Sequence, residues 1–145
     1  MAKVDLHLHS DFSDGSDSVE VLIKKIIKAN IKIFALTDHD TVEGVKQIIK
    51  ELYRVLKNNG ECYLTLGSKS TWGFKQTSWP LIDENTRLRM EEGPEYKVPH
   101  FYADYDLIKI LFKDFKIEFI NHIEDFYESN GKTYSSFHYH VLIKK

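Results

Sequence analysis

Thr41-Val42-Glu43-Gly44-Val45-Lys46-Gln47-Ile48-Ile49-Lys50-Glu51-Leu52-Tyr53-Arg54-Val55-Leu56-Lys57 is the stretch that decides how this chain is read. Its apolar residues, Val42, Val45, Ile48, Ile49, Leu52, Val55 and Leu56, recur at helical spacing without a slip. Glu43, Lys46, Gln47, Lys50, Glu51, Arg54 and Lys57 fill the other face, Thr41 can cap the start, and Asn58-Asn59-Gly60 ends it. One unbroken helix lets the elements before it and those after it share a domain without exposing a core face. The expectation is therefore a single α/β domain over residues 1–145.

Upstream of the helix lies a strand, a polar loop, a helix and a second strand. In Val4-Asp5-Leu6-His7-Leu8-His9-Ser10, the apolar residues alternate with Asp5, His7 and His9, so a strand would bury one set and display the other. Two imidazoles two residues apart on a strand point the same way, at a separation that suits one metal ion. Ser18 can cap a helix built on Val19, Leu22, Ile23, Ile26 and Ile27, and Asn30 is its left-handed stop. Ile33-Phe34-Ala35-Leu36-Thr37 is a continuous apolar run, as in a strand covered on both faces. A βαβ unit at this spacing places both histidine clusters, His7/His9 and Thr37-Asp38-His39-Asp40, at carboxyl ends of parallel strands.

Downstream, Cys62-Tyr63-Leu64-Thr65-Leu66 reads as a third strand. Residues 67–99 hold both tryptophans and all three prolines without sustained periodicity, which is long for a loop, so the segment is either functional or hides a short helix near Ile82–Leu88. Asp104 caps a helix carrying Leu107, Ile108, Leu111 and Phe112. Ile117 to Glu124 alternates as a strand, Asn130-Gly131 marks a turn, and the last strand sets Phe137, Tyr139, Val141 and Ile143 against His138, His140 and Leu142. The fold expected is a three-layer, mostly parallel sheet with helices on both faces, ending in an antiparallel C-terminal hairpin. An open edge on such a sheet is a route to a homo-oligomer.

With 145 residues, 42% hydrophobic and 29% charged, the composition is that of a soluble globular chain. The net charge of -2 and the absence of a basic run give no footprint for nucleic acid. No apolar stretch is long enough to span a membrane, and Met1-Ala2-Lys3-Val4-Asp5 does not read as a secretory leader. The lone Cys62 sits in an apolar run as an inert thiol, and together these features predict a cytoplasmic protein.

Two family resemblances follow. Asp5-Leu6-His7-Leu8-His9-Ser10, Ser13-Asp14-Gly15-Ser16 and Leu36-Thr37-Asp38-His39-Asp40-Thr41 resemble, in order and interval, the start of a PHP (polymerase and histidinol phosphatase) domain. That resemblance covers residues 1–46. It implies phosphoester hydrolysis on a cluster of two or three metal ions, with His7, His9, Asp14 and His39 as ligands. Asp38 or Asp40 would orient an imidazole from behind. Neutral imidazoles and carboxylates suit Zn, Mn or Fe, here held loosely, and the substrate implied is a small phosphorylated molecule.

Residues 47–145 resemble the C-terminal half of class I SAM-dependent methyltransferases. The resemblance rests on Glu51 to Glu61, Gly93-Pro94-Glu95, Val98-Pro99-His100-Phe101-Tyr102 and Ser136 to Ile143. It implies an acceptor pocket lined by Trp72, His100 and Tyr102, while packing that pins this long segment to the sheet is the favoured alternative for the same aromatics. No Gly-x-Gly element occurs to hold SAM, so SAM is not an expected cofactor. The seam falls between Val42 and Glu51.

Each half departs from its family. The third strand runs into Gly67-Ser68-Lys69, a cation where a PHP enzyme would want a carboxylate. His138 and His140, with His122 on the neighbouring strand, are candidate replacement ligands, although solvated histidines on an edge hairpin, and the resemblance to the methyltransferase ending, account for them better. Three function classes remain open: a metal-dependent phosphoesterase, a methyltransferase-related protein without its main SAM motif, and a non-catalytic structural chimera.

Overall fold

The computed structural model describes residues 3–11, 15–36, 42–93, 95–129 and 131–145. Strand β1 (Lys3–Leu8) leads through a turn to helix α1 (Val19–Lys28), which returns to strand β2 (Ile31–Leu36). Ser18 caps α1 by accepting from Val21 N–H at 3.4 Å, and Asn30 adopts the left-handed conformation, φ 57°, that stops it. β1 and β2 pair in parallel, so α1 is the crossover of a βαβ unit, as its spacing predicts.

Helix α2 (Val42–Val55) follows, and Asn59, at φ 63°, turns the chain into β3 (Glu61–Gly67). Thr41, its expected cap, lies outside the described residues. The segment after β3 holds the short helix α3 (Trp72–Lys75) and three strands, β4 (Leu81–Asp83), β5 (Thr86–Leu88) and β6 (Pro99–Phe101). Helix α4 (Tyr105–Leu111) comes next, capped by Asp104, whose Oδ1 accepts from Leu107 N–H at 2.9 Å. The chain closes with β7 (Lys116–Ser129) and β8 (Lys132–Lys144).

Two expectations are corrected here. The helix foreseen near Ile82–Leu88 is a β-hairpin, β4 against β5. The Asp83 carboxylate accepts from Asn85 N–H at 2.8 Å, a side-chain turn that reverses the chain where a helix would have to continue. The sheet, in turn, is not one mostly parallel layer. Among the described residues the ladders form a parallel pair, β1-β2, and two antiparallel three-stranded sheets, β3-β8-β7 and β4-β5-β6. β3 takes β8 as its partner, with Leu64 opposite Val141, so the third strand runs antiparallel to its neighbour. A continuous apolar strand carries no record of its partner's direction, which is why the parallel reading was open to error. The antiparallel C-terminal hairpin is present as expected, with Tyr127 opposite Tyr134 near its tip.

Two cores form, and α2 lies between them. Val45, Phe101, Ala103, Ile108, Phe112, Phe115, Tyr139, Val141 and Ile143 make the larger, with Val42, Ile49 and Leu52 of α2, and Leu56 just past its end, packed against it. Val19, Leu22, Ile23 and Ile26 of α1 make the smaller, with Leu8, Ile31, Ile48 and Val55 against it. Ile108, Val141 and Ile143 are fully excluded from water, each stabilising the fold by about 2 kcal/mol. Cys62 packs against the larger core, and burial pushes its thiol above the ordinary range, as an inert cysteine requires.

Candidate functional site

The parallel pair sets the first candidate site. Asp5 lies opposite Phe34 and Leu8 opposite Leu36, so both strands finish at the same edge. His9 follows directly on the end of β1 and is half-buried, and Ser10 beside it is fully buried. The chain then doubles back, Gly15 N–H donating to Ser10 O at 3.0 Å and Asp11 N–H to Asp17 O at 2.9 Å. Gly15 sits so close to the strand end that a Cβ there would fall 2.2 Å from the His9 carbonyl oxygen, so only glycine fits.

The backbone of His7 is part of β1; its side chain, together with Asp14, Asp38, His39 and Asp40, lies outside the described residues. Among the described residues no three His, Cys, Asp or Glu side chains stand close enough to hold a metal ion.

The C-terminal histidines are divided between the two faces of the β3-β8-β7 sheet. His122 opposes Tyr139 and stacks on its ring at 4.4 Å, with Nε2 2.9 Å from Ser68 Oγ. His138 and His140 alternate with Tyr139 and so point to the opposite face. There His138 Nδ1 lies 2.9 Å from Asp125 Oδ2, and His140 Nδ1 pairs with the Tyr63 hydroxyl. Lys69, the cation at the end of β3, is tied at 2.8 Å to the carboxylate of Asp104. That hydrogen bond, with one from Leu107 N–H, holds the Asp104 carboxyl below its ordinary range.

A second candidate site is built by the segment from Thr71 to Tyr102 together with α2, β3 and the β7–β8 hairpin, His138 included. Trp72, His100 and Tyr102 all line one open cavity of about 1050 Å³, together with Trp79, Arg89 and Glu91. Trp72 and Trp79 meet edge to face at 5.2 Å, and His100 stacks over Tyr102 at 6.4 Å. Arg87 braces the wall by donating to the Phe74 and Trp79 carbonyls. Arg89 is held by Glu91 at 2.7 Å and by Glu95. Burial pushes the Tyr102 hydroxyl up to about 12, so it stays protonated at neutral pH. Gly73 makes room for it, since a Cβ there would lie 2.5 Å from the Tyr102 oxygen. Arg89 and Glu91 carried no signal in the sequence, because Leu88-Arg89-Met90-Glu91-Glu92 reads as ordinary surface.

Comparison with known proteins bears on both halves. Residues 5–71 match the family model described as the PHP domain. Over 41 residues the chain is 42% identical to a phosphoribosyl 1,2-cyclic phosphate 1,2-diphosphodiesterase from Eggerthella lenta, a match that takes in 28% of this chain and 16% of the relative's length. Among solved structures, a SAM-dependent methyltransferase from Methanosarcina mazei superposes over 97% of this chain and 82% of its own, with a TM-score of 0.52 and 14% identity. TehB from Haemophilus influenzae covers 99% of this chain and 50% of its own, with a TM-score of 0.49 and 16% identity. The chain therefore matches the PHP domain over residues 5–71 and has an overall fold similar to that of a SAM-dependent methyltransferase, consistent with a chimera of the two.

Proposed function

We propose that the front of this chain is a PHP-type divalent-metal site, with His7, His9, Asp14 and His39 as its ligands, and that its phosphoester turnover is weak or nil. The observation that carries this reading is the placement of His9 at the carboxyl end of β1, beside the parallel end of β2, after which the chain runs into Asp38-His39-Asp40. Imidazole and carboxylate donors from two adjacent strand ends suit a borderline ion such as Zn, Mn or Fe. The position of Gly15, which follows Asp14 directly in the sequence, supports the same reading, because Gly15 lies against the His9 backbone. When bound, such an ion would activate water and offset charge on a phosphoryl oxygen. His7 and His9 would anchor it from one strand, and Asp38 or Asp40 would orient an imidazole.

Weak turnover follows from the partners of the other candidate groups. Lys69 is committed to Asp104, and His138 and His140 are engaged with Asp125 and Tyr63. The named activity of the Eggerthella relative points to a small phosphodiester as the substrate class to test. Protein supplied with Zn, Mn or Fe should bind it in stoichiometric amount and hydrolyse an activated aryl phosphodiester slowly, with chelation removing whatever hydrolysis there is. Rapid turnover that survives chelation and exhaustive dialysis would overturn the proposal.

The open cavity favours a second reading for the back half, a small-molecule pocket of the methyltransferase type between Trp72, Trp79, His100 and Tyr102. Its test is separate: a raised melting temperature with S-adenosylhomocysteine would support it, and no shift at millimolar ligand would count against it.

A further inference from the structure

Strand β7 is the edge of its sheet, with β8 as its one hydrogen-bonded neighbour among the described residues. Asn121 to Glu128 are all exposed, including Ile123, Phe126 and Tyr127 at 37%, 70% and 53%. Phe119 is also exposed. Natural edges of this length are blunted by proline, by charged side chains (lysine above all) or by bulges, and the charges in this stretch are the adjacent Glu124 and Asp125. Phe119 to Tyr127 contains no proline and no lysine, and the one irregularity in the β7–β8 ladder falls before it, between Ile117 and Phe119. The stretch is therefore an edge strand of unbroken register, with no neighbouring strand on its outer side among the described residues.

The order of residues says which partner. If β7 pairs antiparallel with a second β7 about a two-fold axis through Ile123, Phe119 faces Tyr127, Ile120 faces Phe126, Asn121 faces Asp125 and His122 faces Glu124. The first two pairs are apolar, the third is polar, and the fourth sets an imidazole against a carboxylate. Each pair occurs twice, because the axis makes the interface self-complementary. Glu118 would face Glu128 just outside this stretch, which ends the favourable pairing there. We propose that β7 is a homodimerisation strand, through which two copies of this chain join their β3-β8-β7 sheets into one continuous six-stranded sheet centred on Ile123.

Sedimentation of the full chain should show a dimer that dissociates on dilution, and Ile123→Lys, which sets two ammonium groups face to face, should yield a monomer with an unchanged circular dichroism spectrum. The register is tested by cross-linking in a Cys62→Ser background. Ile123→Cys should oxidise rapidly to a covalent dimer, since residues facing each other across the axis have Cβ atoms about 5 Å apart. Phe119→Cys should not, because its two copies would be separated by roughly 25 Å along the strand. A monomer at every concentration, or equal cross-linking at both positions, would overturn the proposal. So would a dimer of the folded Ile123→Lys variant.

Discussion

Ile48 and Ile49 are neighbours on α2 and belong to different cores: Ile48 packs on the α1 cluster, Ile49 on the cluster built from β8, α4 and β6. The two clusters are thereby joined through a single helix. The apolar stripe is wide enough to serve both, with Val55 joining Ile48 and with Val45, Leu52 and Leu56 joining Ile49.

Because both clusters depend on one helix, Ile48→Ala and Ile49→Ala should shift the same cooperative transition. Each should cost about 2–4 kcal/mol, the usual range for truncating a packed aliphatic side chain. Urea unfolding followed by tryptophan fluorescence, which reports on the back half, should register the Ile48 variant as clearly as the Ile49 variant. Loss of the front without any change in that signal would show that the cores are independent.

Gly73 and Tyr102 form a testable pair. Gly73→Ala places a methyl group within 2.5 Å of the Tyr102 oxygen and should cost about 1–3 kcal/mol. Tyr102→Phe removes the obstructing atom, so the double variant should recover most of that loss. A double-mutant cycle on melting temperature reads the coupling, and additive effects would contradict the contact.

The Lys69–Asp104 pair predicts a pH dependence. Asp104 is held below its ordinary value of 3.8 by the Lys69 ammonium and the Leu107 amide. A depressed carboxylate contributes stability that is present above the unfolded pKa and is lost as pH falls through the lower folded value. With side chains 29% and 47% exposed, solvent screening limits the pair to about 0.5–1 kcal/mol. Asp104→Asn keeps a capping oxygen and removes the charge; it should be less stable than the parent at pH 7 and converge with it in strong acid. A constant difference across the range would assign the loss to capping instead.

Gly15→Ala should weaken metal binding by about tenfold or more, since the new methyl group must displace the strand end that carries His9. Titration of the apoprotein with Mn or Zn checks this, and unchanged affinity would place the ion elsewhere.

Much of the local structure was legible in the residues. Ser18 and Asp104 were readable as caps, Asn30 as a stop, and the hairpin from the alternation on either side of Asn130-Gly131. What escaped depended on distance along the chain. Lys69 and Asp104 stand 35 residues apart, and nothing in either neighbourhood announces the pair. The three-residue strands β4, β5 and β6 are too short for a period to show, so the segment from 67 to 99 read as a loop. Trp72, His100 and Tyr102 line one cavity together with Arg89 and Glu91, which joined them through a fold that no local pattern encodes. The division of His122 from His138 and His140 follows from register alone, which a single strand does not reveal.

The central claim, a metal site founded on β1, is tested most directly by elemental analysis of purified protein beside a His7→Ala, His9→Ala double variant. The parent should carry bound Zn, Mn or Fe near one equivalent or more, and the folded double variant should lose it. Unchanged metal content in the double variant would contradict the account.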